Sequence, residues 1–599
     1  MRRLFGLLLV LTMANAAQAH VGNHPSVHDT VAGVVQRLQQ TLPEEELKNI
    51  SVEKVYATLT EDERHVLGQE HVTFRVNVPV TLYVFRKADM GEVVFWLGDR
   101  GFEKTDLIAS SDDGDYEGWR KDFPAGEIGL GVNSLSGDGD HYFAVMTPQN
   151  SGDIINIDQI YPGQYTVGNF NKGERVYVSW DETRLTAVPE ALAGQTLFRG
   201  NENKRRSAKL TNVYQTTDFP ATEAPDQVVL TWTGDPKTTQ TVQWRTSTAI
   251  DQAALRYRLK KLPGSEAAER WITIAATMTP LVSHNTINDP IINRHVVNLI
   301  GLEPGTVYEY EVGDGSVIGW SEPVEFVTAP AGDTPFKFIY MGDAQNGLDT
   351  WGKLAHQSYA AEPDAAFYIM AGDLINRGNE RDDWDTFFYN ADGIFNRKQL
   401  VPAIGNHEDQ GDKGPWMYLS LFNLPLNGPE GVTPERAYHF EYSNALFVVL
   451  DSNVAPADQV EWLDAQLAAS DKLWKFAIYH HPAYSSGADR NNPEIREVWG
   501  PLFDKYHVDL ALQGHDHAYL RTWPMNNDAK VETPAEGTIY IVSVSGTKHY
   551  DQGDFDYTEF GMTNVSTYQV LDLKIDGNKL TYKAYDIEGA LRDEFTIEK

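Results

Sequence analysis

From about Phe336 onward the sequence alternates short apolar runs with longer amphipathic segments, and this alternation constrains the fold more than any other feature. Short apolar runs bounded by turn residues are typical of buried strands, whereas the longer segments repeat their apolar positions with a helical period. Repeated alternation of strands and helices predicts an α/β layered domain. The apolar runs are FKFIYM, AAFYIM, LVPAI, ALFVVL, KFAIY, VDLAL and TIYIVSVS, and the helical segments include DTWGKLAHQSYAA, ADQVEWLDAQLAAS and PEIREVWGPLFDKY.

Two β-rich regions precede this domain, as expected for a 599-residue chain that is too long for one core. Residues 20–214 begin with a helical pattern and continue with short strands broken by Gly, Asp and Asn. After a Pro/Thr linker, residues 215–330 show the short strands and turn signals of a small β-sandwich, whose LEPGTVYEYEV segment resembles fibronectin type III domains. We expect a multidomain protein in which the sandwich is a spacer and residues 331–599 form the α/β domain.

The first nineteen residues have the pattern of a secretory signal peptide. MRR is followed by a short apolar segment, and Ala17 to Ala19 form an A-x-A cleavage site. The apolar segment is too short to span a bilayer. We therefore expect a periplasmic or secreted protein without a membrane span.

The chain has no cysteine, which excludes disulfides, and its net charge is −35. Such an acidic surface repels nucleic acid and anionic lipid, so we expect no nucleic-acid polymer as a partner. An anion site on this chain must carry strong local positive charge. The sequence does not indicate the oligomeric state.

Polar clusters follow five of the predicted strands of the α/β domain. In open α/β sheets ligands bind outside the carboxyl ends of strands, so these clusters are expected to converge. Carboxylate, amide and imidazole donors together suit divalent metals, and one carboxylate can bridge two ions roughly 3.5–4 Å apart. One such motif alone is usually a turn, but five in series predict a metal site. The clusters contain Asp343, Asp373, Asn406 with His407, His480 with His481, and His515 with His517.

The order GD…GD…GNHE…HxP…GHxH resembles the calcineurin-like metallophosphoesterases from about Phe336 to the C-terminus. With the preceding sandwich, and with GHDHAYLRT and TIYIVSVSG, the chain is similar to the purple acid phosphatase branch, which has a fibronectin-like domain before a dinuclear phosphatase domain. The resemblance implies that Asp373 bridges two metal ions. Asp343 and His517 would complete one site, and Asn406, His480 and His515 would complete the other. His481 would be a neighbour of the ligands, and residues 20–214 lie outside the resemblance.

Two positions depart from the family pattern. Purple acid phosphatases have a tyrosine three residues after the bridging aspartate, and its phenolate binds ferric iron; here that position is Asn376. The departure favours a Zn, Mn or Fe(II) pair over a ferric-tyrosinate site. Many family members have D-x-H at the first motif, where this chain has Gln345, which could be a weak ligand or position a water.

The segment GDLINRG also resembles the GDxxDRG loop of serine/threonine protein phosphatases. That likeness implies that Asn376 holds His407 and that Arg377 faces the substrate phosphate, where a guanidinium can make paired hydrogen bonds. The alternative for Arg377 is an ordinary surface salt bridge.

These expectations combine into an exported two-metal phosphoric ester hydrolase, acting on phosphomonoesters through a metal-bound hydroxide. His407 would protonate or stabilise the departing alkoxide. Two alternatives remain open: a phosphodiesterase or nucleotide hydrolase that uses the same site, and a non-catalytic surface-binding protein with a metal-stabilised fold.

Overall fold

The computed structural model describes residues 25–137, 140–163, 165–177, 183–200, 208–260, 270–316, 319–410, 414–487 and 490–599. The predicted signal peptide lies outside these residues. The chain divides into two compact units, Met1–Tyr214 and Gln215–Lys599. Among the residues described, no helix combines the length and apolar character needed to cross a membrane.

The first unit begins with helices and continues with strands, which confirms the β-rich character predicted from the sequence. Its elements are α1 (Val27–Thr41), α2 (Glu44–Leu47), α3 (Val52–Thr58), α4 (Glu61–Gln69), β1 (Val72–Val76), β2 (Val80–Lys87), α5 (Phe95–Asp99), β3 (Glu103–Ser111), β4 (Gly114–Phe123), β5 (Gly126–Leu130), β6 (Phe143–Pro148), β7 (Ile157–Tyr161), β8 (Tyr165–Asn169), β9 (Leu185–Ala187) and β10 (Thr196–Gly200). Thr60 and Glu63 form a capping box that starts α4. The described strands form two sheets, in the orders β5-β1-β7 and β8-β10-β6-β2-β4-β3-β9.

The second unit begins with the predicted β-sandwich. Its strands are β11 (Asp226–Thr231), β12 (Thr239–Ser247), β13 (Ala254–Leu259), β14 (Ile272–Ala275), β15 (Thr277–Val282), β16 (Ile291–Ile300), β17 (Val307–Gly313) and β18 (Val324–Val327). They pair antiparallel in two sheets, β11-β12-β16-β15 and β14-β13-β17-β18. Trp244, Leu255 and Tyr310 are buried in the core that the two sheets share.

The predicted α/β layered domain follows. Its elements are β19 (Phe336–Met341), α6 (Leu348–Ala361), β20 (Phe367–Met370), α7 (Arg381–Asn390), β21 (Gln399–Pro402), α8 (Trp416–Leu421), β22 (Tyr438–Tyr442), β23 (Ala445–Val449), α9 (Val460–Ala469), β24 (Trp474–Ile478), α10 (Pro493–Tyr506), β25 (Leu510–Gln513), β26 (Tyr519–Thr522), β27 (Met525–Asn526), β28 (Ala529–Lys530), β29 (Ile539–Val542), β30 (Thr558–Met562), β31 (Thr567–Lys574), β32 (Lys579–Asp586) and β33 (Leu591–Glu598). The larger described sheets run β21-β20-β19-β31-β32-β33 and β22-β23-β24-β25-β29-β26-β30.

The two sheets of this domain pack face to face, with helices outside them. The ring of Phe338 on β19 lies 5.3 Å from Phe447 on β23 and 5.4 Å from Phe476 on β24. Alternate residues of β23 point in opposite directions: Phe447 enters this central core, whereas Val448 joins a second core with residues of α9 and α10. β19, β20 and β21 are parallel, as are β23, β24, β25 and β29, so each sheet gathers the carboxyl ends of these strands at one edge. His480, after β24, contacts the Ala371 carbonyl, after β20, at 2.9 Å, so the two edges lie together.

Candidate metal centre

The polar side chains that follow these strand ends converge at that edge. Ligand atoms of Asp373, His480 and His515 all lie within 4.8 Å of one another. The Asn406 Oδ1 atom is 2.9 Å from His515 Nδ1 and 3.1 Å from His480 Nε2. Asp343 Oδ2 is 3.4 Å from His517 Nε2. The structure thus brings the six sequence-predicted ligands together, although they come from five loops.

Backbone carbonyls fix the rings of two of the histidines. His480 Nδ1 donates to the Ala371 carbonyl at 2.9 Å, and His517 Nδ1 donates to the Lys548 carbonyl at the same distance. Each Nε2 atom therefore faces the cluster. Metal-binding histidines are oriented by the same type of contact, in which the second ring nitrogen donates to a carbonyl or carboxylate.

Two buried oxygen atoms in the cluster have no hydrogen-bond donor among the described residues: Asp343 Oδ2 and Gln345 Oε1. Leaving a buried acceptor unpaired costs about 1–3 kcal/mol. Gln345 Nε2 donates to Asp373 Oδ2 at 2.8 Å and lies 3.3 Å from His517 Nε2, so its amide borders the same space. Unpaired oxygens beside imidazole nitrogens fit a divalent cation of intermediate hardness, such as Zn, Mn or Fe(II).

The charges in the cluster also fit a cation. Burial raises the pKa of Asp343 to about 8 and lowers the pKa of His517 to about 4. Burial alone would lower the pKa of His480, but the carboxylates of Asp373 and Asp343 raise it to about 9. The cluster therefore stabilises positive charge at His480, and burial favours the neutral imidazole of His517, the protonation state that metal ligation needs.

Close backbone approach explains the glycines of two motifs. Gly372 has φ +85, and a Cβ there would lie 2.6 Å from His480 Nδ1. A Cβ on Gly514 would collide with Asp343 Oδ1. The neighbouring His515 has a left-handed φ of 70, a conformation that a non-glycine residue adopts at a cost, and its N–H donates to Asp343 Oδ1 at 2.6 Å.

Glu408 joins the loop that contains Asp373 to the loop that contains Asn406. Its carboxylate is fully buried and accepts backbone N–H groups of Asp373 at 2.9 Å, Leu374 at 2.9 Å and Gly405 at 2.8 Å. Burial raises its pKa to about 8, whereas the N–H donors stabilise the ionised form. Sequence reasoning missed this role, although Glu408 is the last letter of the GNHE motif.

Replacing Glu408 with glutamine is expected to lower the free energy of unfolding of the second unit by about 2 kcal/mol or more. The amide NH₂ cannot accept a hydrogen bond, so buried N–H groups lose their acceptor. Thermal unfolding of the purified protein measures the change, with the exposed Glu430→Gln as the control. An unchanged transition in Glu408→Gln would show that the carboxylate does not hold these loops.

His407 lies at the rim of the cluster with its side chain 23% exposed. Its Nδ1 donates to the Asn376 backbone carbonyl at 2.5 Å, and its Nε2 lies 3.9 Å from Asp373 Oδ2. Asn376 therefore does contact His407, but through its backbone oxygen and not through the side chain that the sequence likeness suggested. Because Nδ1 is engaged, Nε2 is the atom that can exchange a proton with a substrate.

Arg377 is held by acidic residues of α7. Its Nη2 donates to Asp382 Oδ2 at 2.6 Å and to Asp383 Oδ1 at 2.5 Å. Burial alone would lower the pKa of Arg377, but the carboxylates of Asp383 and Asp382 outweigh burial and raise this pKa above its usual value. This geometry favours the salt-bridge alternative, since Nε and Nη2 have carboxylate partners; the phosphate contact stays a prediction.

His481 is a neighbour of the ligands, as expected from the sequence. Its ring centre is 4.4 Å from that of His515, and its Nδ1 lies 2.9 Å from the Ser452 hydroxyl. Burial, together with the neighbouring His480, lowers the pKa of His481 to about 3.

A second contribution that sequence reasoning missed comes from the loop after HHP. Arg490 Nε donates to Asp516 Oδ1 at 2.5 Å, and its Nη2 donates to the His515 carbonyl at 3.1 Å. Asp516 is fully buried between His515 and His517. Arg490 thus holds the loop that carries both histidines. Asp516 could have been noticed because it lies between the two histidines of the GHDH motif, but no sequence motif contains Arg490.

Two stretches of the second unit match known families. Residues 225–328 match the family "Purple acid Phosphatase, N-terminal domain", and residues 336–519 match the family "Calcineurin-like phosphoesterase". An uncharacterised protein of Mycobacterium tuberculosis is 28% identical over 42% of this chain and 56% of its own length. The Fe(3+)-Zn(2+) purple acid phosphatase 12 of Arabidopsis thaliana is 27% identical over 38% of this chain and 52% of its own length. The chain thus spans little more than half the length of these relatives.

Among solved structures, the purple acid phosphatase PPD1 from yellow lupin (Lupinus luteus) seeds has a similar fold. Its TM-score is 0.55 at 16% identity, and the superposition covers 89% of this chain and 91% of the lupin protein.

Proposed function

Because this chain belongs, through residues 225–328 and 336–519, to the purple acid phosphatase-like branch of the calcineurin-like phosphoesterases, we propose that it is a dinuclear-metal phosphoric ester hydrolase. Its preferred substrates are phosphomonoesters, and it acts in the periplasm or outside the cell. The observation that carries the proposal is the convergence of Asp373, His480 and His515 within 4.8 Å, beside the unpaired Asp343 Oδ2.

The chain's donors divide into two sets around Asp373. Asp343 and His517, with Gln345 beside them, would hold one ion, and Asn406, His480 and His515 would hold the other. Bound metal ions of this kind lower the pKa of a water and neutralise charge on phosphoryl oxygens. Since the Arg377 guanidinium is engaged by Asp382 and Asp383, we do not assign it to the substrate.

The residue at position 376 bears on which metal ions the site would hold. The Arabidopsis relative is described as an Fe(3+)-Zn(2+) enzyme. In this chain Asn376 occupies the position of the family tyrosine, and an amide cannot supply the phenolate charge that favours ferric iron. We therefore propose a divalent pair of Zn, Mn or Fe(II).

His407 supplies proton transfer to the leaving group. Its Nδ1–H donates to the Asn376 carbonyl, which fixes the ring and leaves Nε2 on the side of Asp373. A protonated Nε2 can donate to the oxygen of the departing alcohol as the phosphorus–oxygen bond breaks. General acids placed in this way contribute about 10²–10⁴-fold to a rate.

A side-by-side rate assay tests the substrate class. The purified chain is given p-nitrophenyl phosphate and bis-p-nitrophenyl phosphate, with Mn or Zn added and with a chelator as the control. We expect chelator-sensitive hydrolysis with a preference for the monoester. A diester preference would retain the metal centre but contradict the monoesterase assignment. No turnover despite bound metal would contradict the enzyme assignment and favour a metal-stabilised binding protein.

A further inference from the structure

A buried ionic network joins the β-sandwich to the first turns of α7. Asp385 on α7 accepts hydrogen bonds from Arg245 Nη1 at 2.6 Å, Gln227 Nε2 at 2.8 Å and Thr217 Oγ1 at 2.7 Å. Arg245 and Asp385 are each 1% exposed. The partners are more than a hundred residues apart in sequence, so the network holds the helix from outside its own domain.

Two more contacts from the sandwich reach the start of the same helix. Arg381 Nη2 donates to Asp289 Oδ2 at 2.8 Å, and Asn285 Nδ2 donates to Glu380 Oε2 at 2.5 Å. Arg381 is fully buried. Buried charges are stable only when they are paired, and removing one partner of such a pair is strongly destabilising. The sandwich therefore contacts the first turns of α7 through paired, buried charges.

The same turns hold the loop that follows Asp373. The Arg377 N–H donates to Asp383 Oδ2 at 2.9 Å, and Trp384 Nε1 donates to the Gly378 carbonyl at 2.8 Å. The Gly378 N–H in turn donates to the His407 carbonyl at 3.0 Å. Contacts thus run without interruption from the sandwich, through α7, to the residue at the rim of the metal cluster.

We propose that the β-sandwich fixes the loop from Asp373 to Glu380, and with it the position of His407, by holding the first turns of α7. Thr217, Arg245 and Asp289 on the sandwich side, and Arg381 and Asp385 on the helix, are positioning residues. The sandwich is then more than the spacer expected from the sequence. The consequence for catalysis rests on the proposed function, but the mechanical coupling does not.

Two threonines provide a matched test. Thr217 and Thr231 are both buried, and each also accepts a hydrogen bond from the sandwich side, Thr217 from the Phe219 N–H and Thr231 from Gln243 Nε2. Thr217 Oγ1 donates across the domain boundary to Asp385, whereas Thr231 Oγ1 donates to the Asn423 carbonyl at 2.6 Å, away from α7. Thr217→Val and Thr231→Val each remove one interdomain hydrogen bond and the one that the hydroxyl accepts, without changing the side-chain size. Asp385→Asn is a stronger perturbation of the α7 contact.

Hydrogen–deuterium exchange of the purified full-length chain measures the coupling without requiring activity. We expect Thr217→Val to accelerate amide exchange in residues 373–380 by about threefold to tenfold, the effect of losing one hydrogen bond on an opening equilibrium. Thr231→Val should leave these amides unchanged, and Asp385→Asn should accelerate them more. If the protein turns over phosphomonoesters, Thr217→Val should also lower kcat while KM stays near the wild-type value.

Equal exchange of residues 373–380 in Thr217→Val and wild type would overturn the proposal. Equal acceleration by the two threonine variants would also overturn it, because the effect would then be a general loosening of the domain boundary. If Asp385→Asn fails to fold, the comparison of Thr217→Val with Thr231→Val is sufficient to test the proposal. Since exchange is read without substrate, failure of the coupling and failure of the proposed function are distinguishable.

Discussion

Replacing Asp373 with asparagine is expected to abolish hydrolysis and to weaken metal binding by at least ~100-fold. Substitution of groups that only orient metal ligands already costs about 10–100-fold in metal affinity, and Asp373 is assigned as the ligand shared by both ions. Its Oδ2 lies 3.2 Å from His480 Nε2 and accepts from Gln345 at 2.8 Å, so it borders both halves of the cluster. Metal content per chain and kcat measure the effect.

The control for Asp373 is Asp349→Asn, which removes a carboxylate that is 73% exposed on α6. It should bind metal and turn over like the wild type. If Asp373→Asn retained two ions and full turnover, the assignment of Asp373 as the shared ligand would be wrong.

Replacing His407 with alanine is expected to lower kcat by about 10²–10⁴-fold while the bound metal is retained, because His407 transfers a proton and is not assigned as a ligand. The loss should be larger for an alkyl phosphate than for p-nitrophenyl phosphate. An alkoxide needs a proton to leave, whereas nitrophenolate is a stable anion without one. Rates of the variant on both esters, together with its metal content, test this role.

The control for His407 is His356→Ala, which removes an exposed histidine from α6. Full turnover by His407→Ala would contradict any catalytic role. An equal loss on both esters would contradict proton donation to the leaving group, since that role makes the loss depend on the alcohol.

The sequence predicted the α/β layers and the set of converging donors because both depend on local patterns. Each of the predicted ligands follows a short strand of apolar residues, and parallel strands bring their carboxyl ends to one edge of the sheet. The order of the motifs then supplied the division of ligands between two ions. The structure brings these side chains together, but their assignment as ligands remains a proposal.

The contacts around the ligands could not be predicted in the same way. Asn376 contacts His407 through its backbone carbonyl, and a backbone contact leaves no trace in residue identity. Arg377 pairs with Asp382 and Asp383, which lie only five and six positions later in the chain. The likeness to the GDxxDRG loop implied a phosphate contact for Arg377 and gave no reason to expect these two partners. The pairing of Asp385 with Arg245 depends on how two domains pack, which no local pattern encodes.

The central claim is that this chain needs two metal ions for ester hydrolysis, and a metal titration tests it most directly. The protein is stripped with a chelator, and p-nitrophenyl phosphate hydrolysis is followed as Mn or Zn is added back in measured equivalents. We predict no turnover in the stripped protein and a rate that saturates at about two equivalents per chain, as two-metal hydrolysis requires. Full turnover in the stripped protein, or saturation at one equivalent, would contradict the account.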